Sequence, residues 1–341
     1  MTPRPPLKVL FAGTPANAAA ALRLVAERVA EGEVEIVGVL TREDAPVGRK
    51  RVLTPSPVAQ AAEDLGLPVI KAGRVSAETL ADIAGLGADA ALVVAYGALL
   101  RAEALEALPL GWYNLHYSIL PDLRGAAPVQ RAIMGGRQEA GATIFRIDEG
   151  LDTGPVHAVI RRPLDGTETA GSLLEDLTCD GAAEAAAFLG RLARDPQLAR
   201  RGEPQPPGVF EYASKLEPAH ARLDVAGAAA VADRTARGTM PAPGPWLTFK
   251  GERFKVHGVG GLVPNAEAEP LAEPGSIRPH PDGIAVAFSD GWLVLTEVQP
   301  FGKKRMRAAD WLRGLGSQKS SGRAEAAPET PTDHSEPRFD A

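Results

Sequence analysis

Asn114, His116 and Asp152 are the residues whose types and spacing suit chemistry carried out together. An asparagine amide donates to a developing oxyanion, an imidazole moves a proton near neutral pH, and a carboxylate tunes that imidazole or relays a proton through water. The combination fits acyl transfer to an amine and needs no side-chain nucleophile. Asn114 and His116 are separated by one residue in the apolar run Trp112–His116, so in a strand both lie on one face. Asp152 falls in Asp148-Glu149-Gly150-Leu151-Asp152-Thr153-Gly154, an acidic, glycine-punctuated loop that can bring a carboxylate back over a sheet edge. Taken singly each has an ordinary alternative, since a histidine at a strand end is often a polar cap and such a loop often a solvated turn.

Other chemistries lack their residues. Among six histidines and one cysteine there is no H-E-x-x-H or C-x-x-C spacing, and neither a G-x-S-x-G elbow nor a P-loop occurs. Metal hydrolases, serine hydrolases and NTPases lose support, and no metal site is expected. The first turn, Phe11-Ala12-Gly13-Thr14-Pro15, lacks G-x-G-x-x-G, and Thr41 stands where a dinucleotide fold places its ribose-binding acid. A nucleotide-dependent oxidoreductase therefore rests on fold alone, which is weak evidence.

The elements that must position the three residues follow a repeating pattern. Leu7 to Phe11 reads as a strand, and Thr14-Pro15 as a hydroxyl N-cap followed by proline, opening an alanine-rich helix to about Ala30. Val34 to Leu40, Pro68 to Ile70, Ala90 to Val94, Trp112 to His116 and Ala142 to Ile147 read as further strands. Helices open at Ser56-Pro57, Ser76, near Pro128 and at Thr169, the last reaching about Arg194. Repeated strand–helix–strand units predict an α/β, Rossmann-like domain over 1–194, a mainly parallel sheet with helices on both faces. In such sheets ligands gather beyond the carboxyl ends of the strands.

The polar, proline-rich stretch 195–208 reads as an extended linker. Over 209–316 the texture changes: Trp246 to Phe249 and Arg253 to His257 flank Lys250-Gly251-Glu252, and Ile284 to Phe288 and Trp292 to Leu295 flank Asp290-Gly291. Short strands joined by tight turns predict a smaller OB-like β-barrel. The remainder, 317–341, carries one aromatic residue and is expected to be disordered.

Composition bounds the setting. With 45% apolar residues in 341, two cores can be buried. The lone Cys179 and an N-terminus without a secretory signal lead us to expect a cytoplasmic chain, and Ala88 to Leu100 is too short to span a bilayer. A formal charge of −6 argues against a general, sequence-blind polyanion binder, so any nucleic-acid contact must be local.

Several motifs in order resemble the formyltransferases that use 10-formyltetrahydrofolate: VLFAGTP (Val9 to Pro15), TPSPV (Thr54 to Val58), VVAYG (Val93 to Gly97), NLHYSILPDLRGAAPVQ (Asn114 to Gln130) and GLDTGPV (Gly150 to Val156). YASKL (Tyr212 to Leu216), ARLD (Ala221 to Asp224) and QPFGKKRM (Gln299 to Met306) extend the likeness along nearly the whole chain, the tail excepted. The branch resembled formylates methionylated initiator tRNA.

The resemblance implies that Asn114, His116 and Asp152 are catalytic and that Ser118, Ile119, Leu120 and Pro121 hold the folate, with the backbone at Tyr96 and Gly97 lining the pterin pocket. It implies 10-formyltetrahydrofolate as co-substrate without a metal, and transfer to the α-amine of methionine through a tetrahedral intermediate. It also implies a loop carrying Arg42, Arg49, Lys50 and Arg51 set against the tRNA acceptor arm, and a tRNA-binding second domain. There, Lys250, Arg253 and Lys255, with Lys303, Lys304, Arg305 and Arg307, supply positive charge that suits a tRNA backbone and equally an ordinary solvated face. The expected partners are methionylated initiator tRNA and a small-molecule folate, with no membrane and a monomeric chain. One departure from the family pattern is Tyr117, where a small residue is usual; its ring is expected to point away from the folate. Formyltransferases of glycinamide ribonucleotide or of amino sugars share the triad, and a catalytically silent tRNA-binding protein would lack one of its members.

Overall fold

The computed structural model describes residues 4–29, 32–48, 50–263, 272–320 and 337–341. The chain forms two compact units, one from 1–129, 139–163 and 172–214, the other from 130–138, 164–171 and 215–341.

The first unit is built on a seven-stranded sheet: β1 (Leu7–Gly13), β2 (Val34–Thr41), β3 (Val69–Lys71), β4 (Ala90–Val94), β5 (Trp112–His116), β6 (Glu139–Arg146) and β7 (Val156–Pro163). Their spatial order is β7-β6-β5-β4-β1-β2-β3. The first five are mutually parallel, with Phe11 of β1 level with Val39 and Leu92 of its two neighbours. On one face Leu10, Ala12, Ala91, Val93 and Trp112 pack with Ile83 of the helix Ala77–Leu86 and with Ala104. On the other, Tyr113 packs edge-on against Phe188 of the long helix Ala170–Arg194, and the Leu115 side chain lies against Gly181 of that helix.

Two cap expectations hold, because Ser56 Oγ accepts from the Ala59 N–H and Ser76 Oγ from the Thr79 N–H. The third does not. The first helix begins at Ala16 after Pro15 with no side-chain cap, and Thr14 Oγ1 instead donates to the Tyr96 carbonyl at 2.9 Å, tying two strand exits together.

The sheet departs from the sequence reading at one edge. β6 runs antiparallel to β5, and β7, which alternation over polar residues such as Arg161 and Arg162 concealed, pairs antiparallel outside it. Nor is 195–208 a free linker. It forms a short turn of 3₁₀ helix (Pro196–Arg200), and Glu203 pairs with Val156 through two backbone hydrogen bonds.

In the second unit β8 (Trp246–Phe249), β9 (Glu252–Val263), β10 (Ile277–His280), β11 (Gly283–Ala287), β12 (Trp292–Gln299) and β13 (Met306–Arg307) form one antiparallel sheet of order β8-β9-β12-β11-β10, with β13 on β12. Among the described residues no pairing joins β8 to β10, so the sheet is not a closed barrel. The expected tight turn is present, with Lys250 at φ 53° and Gly251 at φ 78°. The core gathers Phe254, Val256, Ile284, Phe288, Leu293 and Leu295 with Trp311 of the helix Ala308–Ser320.

The tail requires a correction. Residues 317–320 continue that helix, and Phe339 is buried in this core, so a disordered 317–341 does not describe them; 321–336 lie outside the described residues. No helix among the described residues is long and apolar enough to cross a membrane.

Candidate active site

Alternation along β5 puts Asn114 and His116 on the Trp112 face, opposite Tyr113 and Leu115. His116 is buried, and its Nε2 lies 3.1 Å from the Leu123 carbonyl oxygen. A carbonyl only accepts, so Nε2 carries the hydrogen and Nδ1 is the nitrogen left to exchange a proton. Nδ1 is 3.9 Å from Asp152 Oδ2. Burial pulls the His116 pKa below the ordinary histidine value, while the Asp152 charge and the Leu123 carbonyl pull it back up. The resting imidazole is therefore neutral at neutral pH. Asn114 is half-buried, and its side-chain amide makes no hydrogen bond among the described residues.

Asp152 arrives by a route that sequence did not show. Because β6 is antiparallel, its exit lies at the start of β5, where Ile147 N donates to the Trp112 carbonyl at 2.7 Å. His116 is at the other end, four residues on, or roughly 13 Å at ~3.3 Å per residue. The loop must turn back along the strand to reach it. Asp152 sits at the reversal with φ 54°, and a Cβ on Gly154 would overlap the Arg146 carbonyl oxygen. Asp152 Oδ2 then accepts from the Gly125 N–H at 2.8 Å. Leu123 (φ 57°) and Ala95 (φ 48°) are also left-handed, so three non-glycine residues in this conformation occur in the loops that shape the site.

Four contributors escaped the sequence reading. Gln205 donates to the Asp152 and Gly154 carbonyls at 2.9 and 2.8 Å and accepts from Arg124. Thr143, buried on β6, donates to the Ser118 carbonyl and accepts from the Leu120 N–H. The Leu123 carbonyl and the Gly125 N–H are backbone groups, invisible in side-chain chemistry. For Gln205 the one available signal was its place in a polar stretch already set aside as linker.

The segment Ser118-Ile119-Leu120-Pro121 follows directly on β5, and Tyr96-Gly97 lies just beyond β4, the adjacent strand. Neither polar side chain there is free: Ser118 Oγ donates to the Asp122 carbonyl, and the Tyr96 hydroxyl donates to the Ala72 carbonyl with its pKa pushed up to about 12 by burial. What these loops offer is backbone and apolar surface. Tyr117 turns to the opposite face, where its hydroxyl lies 3.1 Å from Thr178 Oγ1 and 3.5 Å from Asn17 Nδ2.

Of the basic loop, Arg42 donates to the Glu43 carbonyl and Lys50 and Arg51 are exposed, while Arg49 lies outside the described residues. Lys50 and Arg51 sit in the turn of a small hairpin, Ala45–Val47 with Val52–Thr54, which exposes Val47, Val52 and Leu53. In the second unit Arg253 stacks over Trp246 at 4.3 Å, Arg305 pairs with Glu297, and a cleft of about 450 Å³ is lined by Trp246, Arg253, Lys255, His257 and Arg305 among others.

A buried imidazole stands beside a carboxylate, with an amide that is unpaired among the described residues on the same strand face, and residues 7–184 match the formyl transferase family while 215–316 match its C-terminal domain. The chain belongs to the formyl transferase family. Within it, the chain belongs with the methionyl-tRNA formyltransferases: it is 45% identical over 316 residues to the one from Paenarthrobacter aurescens (strain TC1), covering 91% of this chain and 98% of that relative. The one from Corynebacterium urealyticum is 44% identical over 322 residues, covering 90% and 94%. The fold is shared with HypX from Aquifex aeolicus, solved in complex with tetrahydrofolic acid, at a TM-score of 0.59 and 18% identity over 97% of this chain and 50% of that one. It is shared too with WlaRD, a sugar 3N-formyl transferase, at 0.55 and 15% over 87% and 99%.

Proposed function

We propose that Asn114, His116 and Asp152 carry out the formyl transfer of this family, from N10 of 10-formyltetrahydrofolate to the α-amine of methionine on initiator tRNA. The observation that supports this is the imidazole itself. It is buried and neutral, with Nε2 committed to the Leu123 carbonyl and Nδ1 toward Asp152, and it shares a strand face with an unpaired amide.

The amine attacks the formyl carbon, and the carbonyl oxygen becomes an oxyanion that Asn114 stabilises, an effect typically worth ~3 kcal/mol per donor. Neutral His116 takes the amine's proton at Nδ1, and the adjacent Asp152 carboxylate stabilises the imidazolium. The same nitrogen then returns the proton to N10 as the C–N10 bond breaks. The amine loses one hydrogen, N10 gains one, and tetrahydrofolate leaves. The folate rests on the backbone of 96–97 and the segment 118–121. Arg42, Arg49, Lys50 and Arg51 meet the acceptor arm, and the basic cleft around Trp246 and Arg253 meets phosphate further along.

In this reading the second unit is an open form of the oligonucleotide-binding barrel and the enzyme works as a cytoplasmic monomer. The test mixes the enzyme with 10-formyltetrahydrofolate and methionylated initiator tRNA and follows formyl on the amine. Glycinamide ribonucleotide and an amino sugar serve as rival acceptors. Transfer to a small amine with none to the tRNA would overturn the assignment; the monomer is checked by sedimentation of the free enzyme.

A further inference from the structure

Residues 337–341, Pro-Arg-Phe-Asp-Ala, lie beyond the 215–316 stretch that matches the family's C-terminal domain. They are nonetheless built into the second unit's core. Phe339 is 1% exposed, and its ring centroid stands 5.4 Å from Phe249, 5.0 Å from Phe254 and 5.8 Å from Trp311, edge-on to the first two and stacked on the third. The backbone is paired as well: the Phe339 N–H donates to the Gly275 carbonyl at 2.8 Å and the Asp340 N–H to the Thr248 carbonyl at 2.9 Å, while Arg338 forms a bridge with Ser276. Gly275 is required there, because a Cβ would overlap the Phe339 carbonyl. Side chains flank the plug, with Arg338 paired to Glu273 and Asp340 accepting from the Lys250 and Gly251 N–H groups.

We infer that the second unit carries a peptide-binding socket, formed by Phe249, Phe254, Trp311 and the backbone carbonyls of Thr248 and Gly275, whose occupant is the chain's own 337–341 segment. The ligand class is an extended peptide with phenylalanine between an arginine and an aspartate. Shape and apolar burial select the phenylalanine, backbone pairing fixes the register, and Glu273 and the Lys250-Gly251 turn read the flanking charges. Residues 321–336 join the plug to the helix Ala308–Ser320, so docking is intramolecular at an effective concentration of about 1 mM. The segment is a separable ligand: cut from its tether, it binds back.

The experiment places a protease site within 321–336 of the full-length chain, cuts the folded protein and titrates the fluorescein-labelled peptide Pro-Arg-Phe-Asp-Ala by anisotropy. Saturation at or below about 1 mM, competed by unlabelled peptide and absent for the peptide with alanine in place of phenylalanine, is expected. Equal binding of the alanine peptide, or no saturation at that concentration, overturns the proposal. If the cut chain precipitates, uncut variants decide: Phe339→Ala lowers the Tm of the second unit's transition by roughly 6–20 °C and Phe339→Leu by much less. No Tm change in Phe339→Ala overturns it.

Discussion

Two histidines lie on opposite faces of one sheet, and they have opposite surroundings. His157, on β7, packs against the Tyr113 and Phe188 rings, both its nitrogens are buried without a hydrogen-bond partner among the described residues, and burial helped by the Arg146 charge lowers its pKa to about 4. His116 is buried as well, yet its Nε2 meets a carbonyl and its Nδ1 a carboxylate. Desolvation reinforced by a like charge yields a ring that stays neutral until the pH falls to about 4. Desolvation opposed by one charge and one dipole yields a ring that is neutral at rest and still able to accept a proton.

The largest test of that contrast is kinetic. Asn114→Ala and His116→Ala are each expected to lower kcat by about 10²–10⁴ with folate still bound, whereas His157→Phe leaves kcat within about twofold. Single-turnover formyl transfer measures all three, and comparable losses at His116 and His157 would erase the distinction.

Asp152→Asn should lower kcat by about 10² and move the acid limb of the kcat/KM profile to lower pH, because the charge that raises the His116 pKa is gone while its desolvation stays. In the unmodified enzyme that limb lies below 6.5, since the imidazole must be neutral to act. A limb moving upward would mean that Asp152 does not act through His116.

His157 carries a stability signature instead. Between 6.5 and about 4 the unfolded chain binds a proton that the folded chain refuses, so stability is present above 6.5 and lost as pH falls through that window. Linkage sets the loss at up to about 3 kcal/mol, and less as solvent reaches the ring. Denaturant unfolding of His157→Phe at pH 7 and pH 5 should show a smaller pH difference than the parent; equal differences would place the acid sensitivity elsewhere.

The smallest effect is expected at Gln205→Ala. It removes the brace on the Asp152 and Gly154 carbonyls, and about a tenfold loss in kcat with unchanged KM for folate is expected from a loosened carboxylate. An unchanged kcat would show that the Gly125 N–H holds Asp152 unaided.

Much of this architecture is legible in local patterns. The five parallel strands announce themselves as apolar runs, and the Ser56 and Ser76 caps as hydroxyls before helices, because burial on both faces and N-capping depend on residues close in sequence. Thr14 shows the limit. Its neighbours favour a cap, but the Tyr96 carbonyl, more than eighty residues away, takes its hydroxyl. β7 escapes notice because an edge strand need bury only alternate residues, and Arg161 and Arg162 obscure even that alternation. Phe339 is one aromatic in a polar tail, and one aromatic residue suffices when a socket for it exists elsewhere in the chain.

Sequence by itself determined that an amide and an imidazole share a strand face, since alternation is a property of any strand, and it supplied motifs specific enough to fix the family. Only the tertiary structure decided which imidazole nitrogen is free, that Asp152 must double back along an antiparallel edge to reach it, and that a glutamine from a supposed linker holds it there. Those outcomes depend on backbone carbonyls, strand direction and distant pairings, whose energies are set by where chain segments meet and not by the order in which they are written.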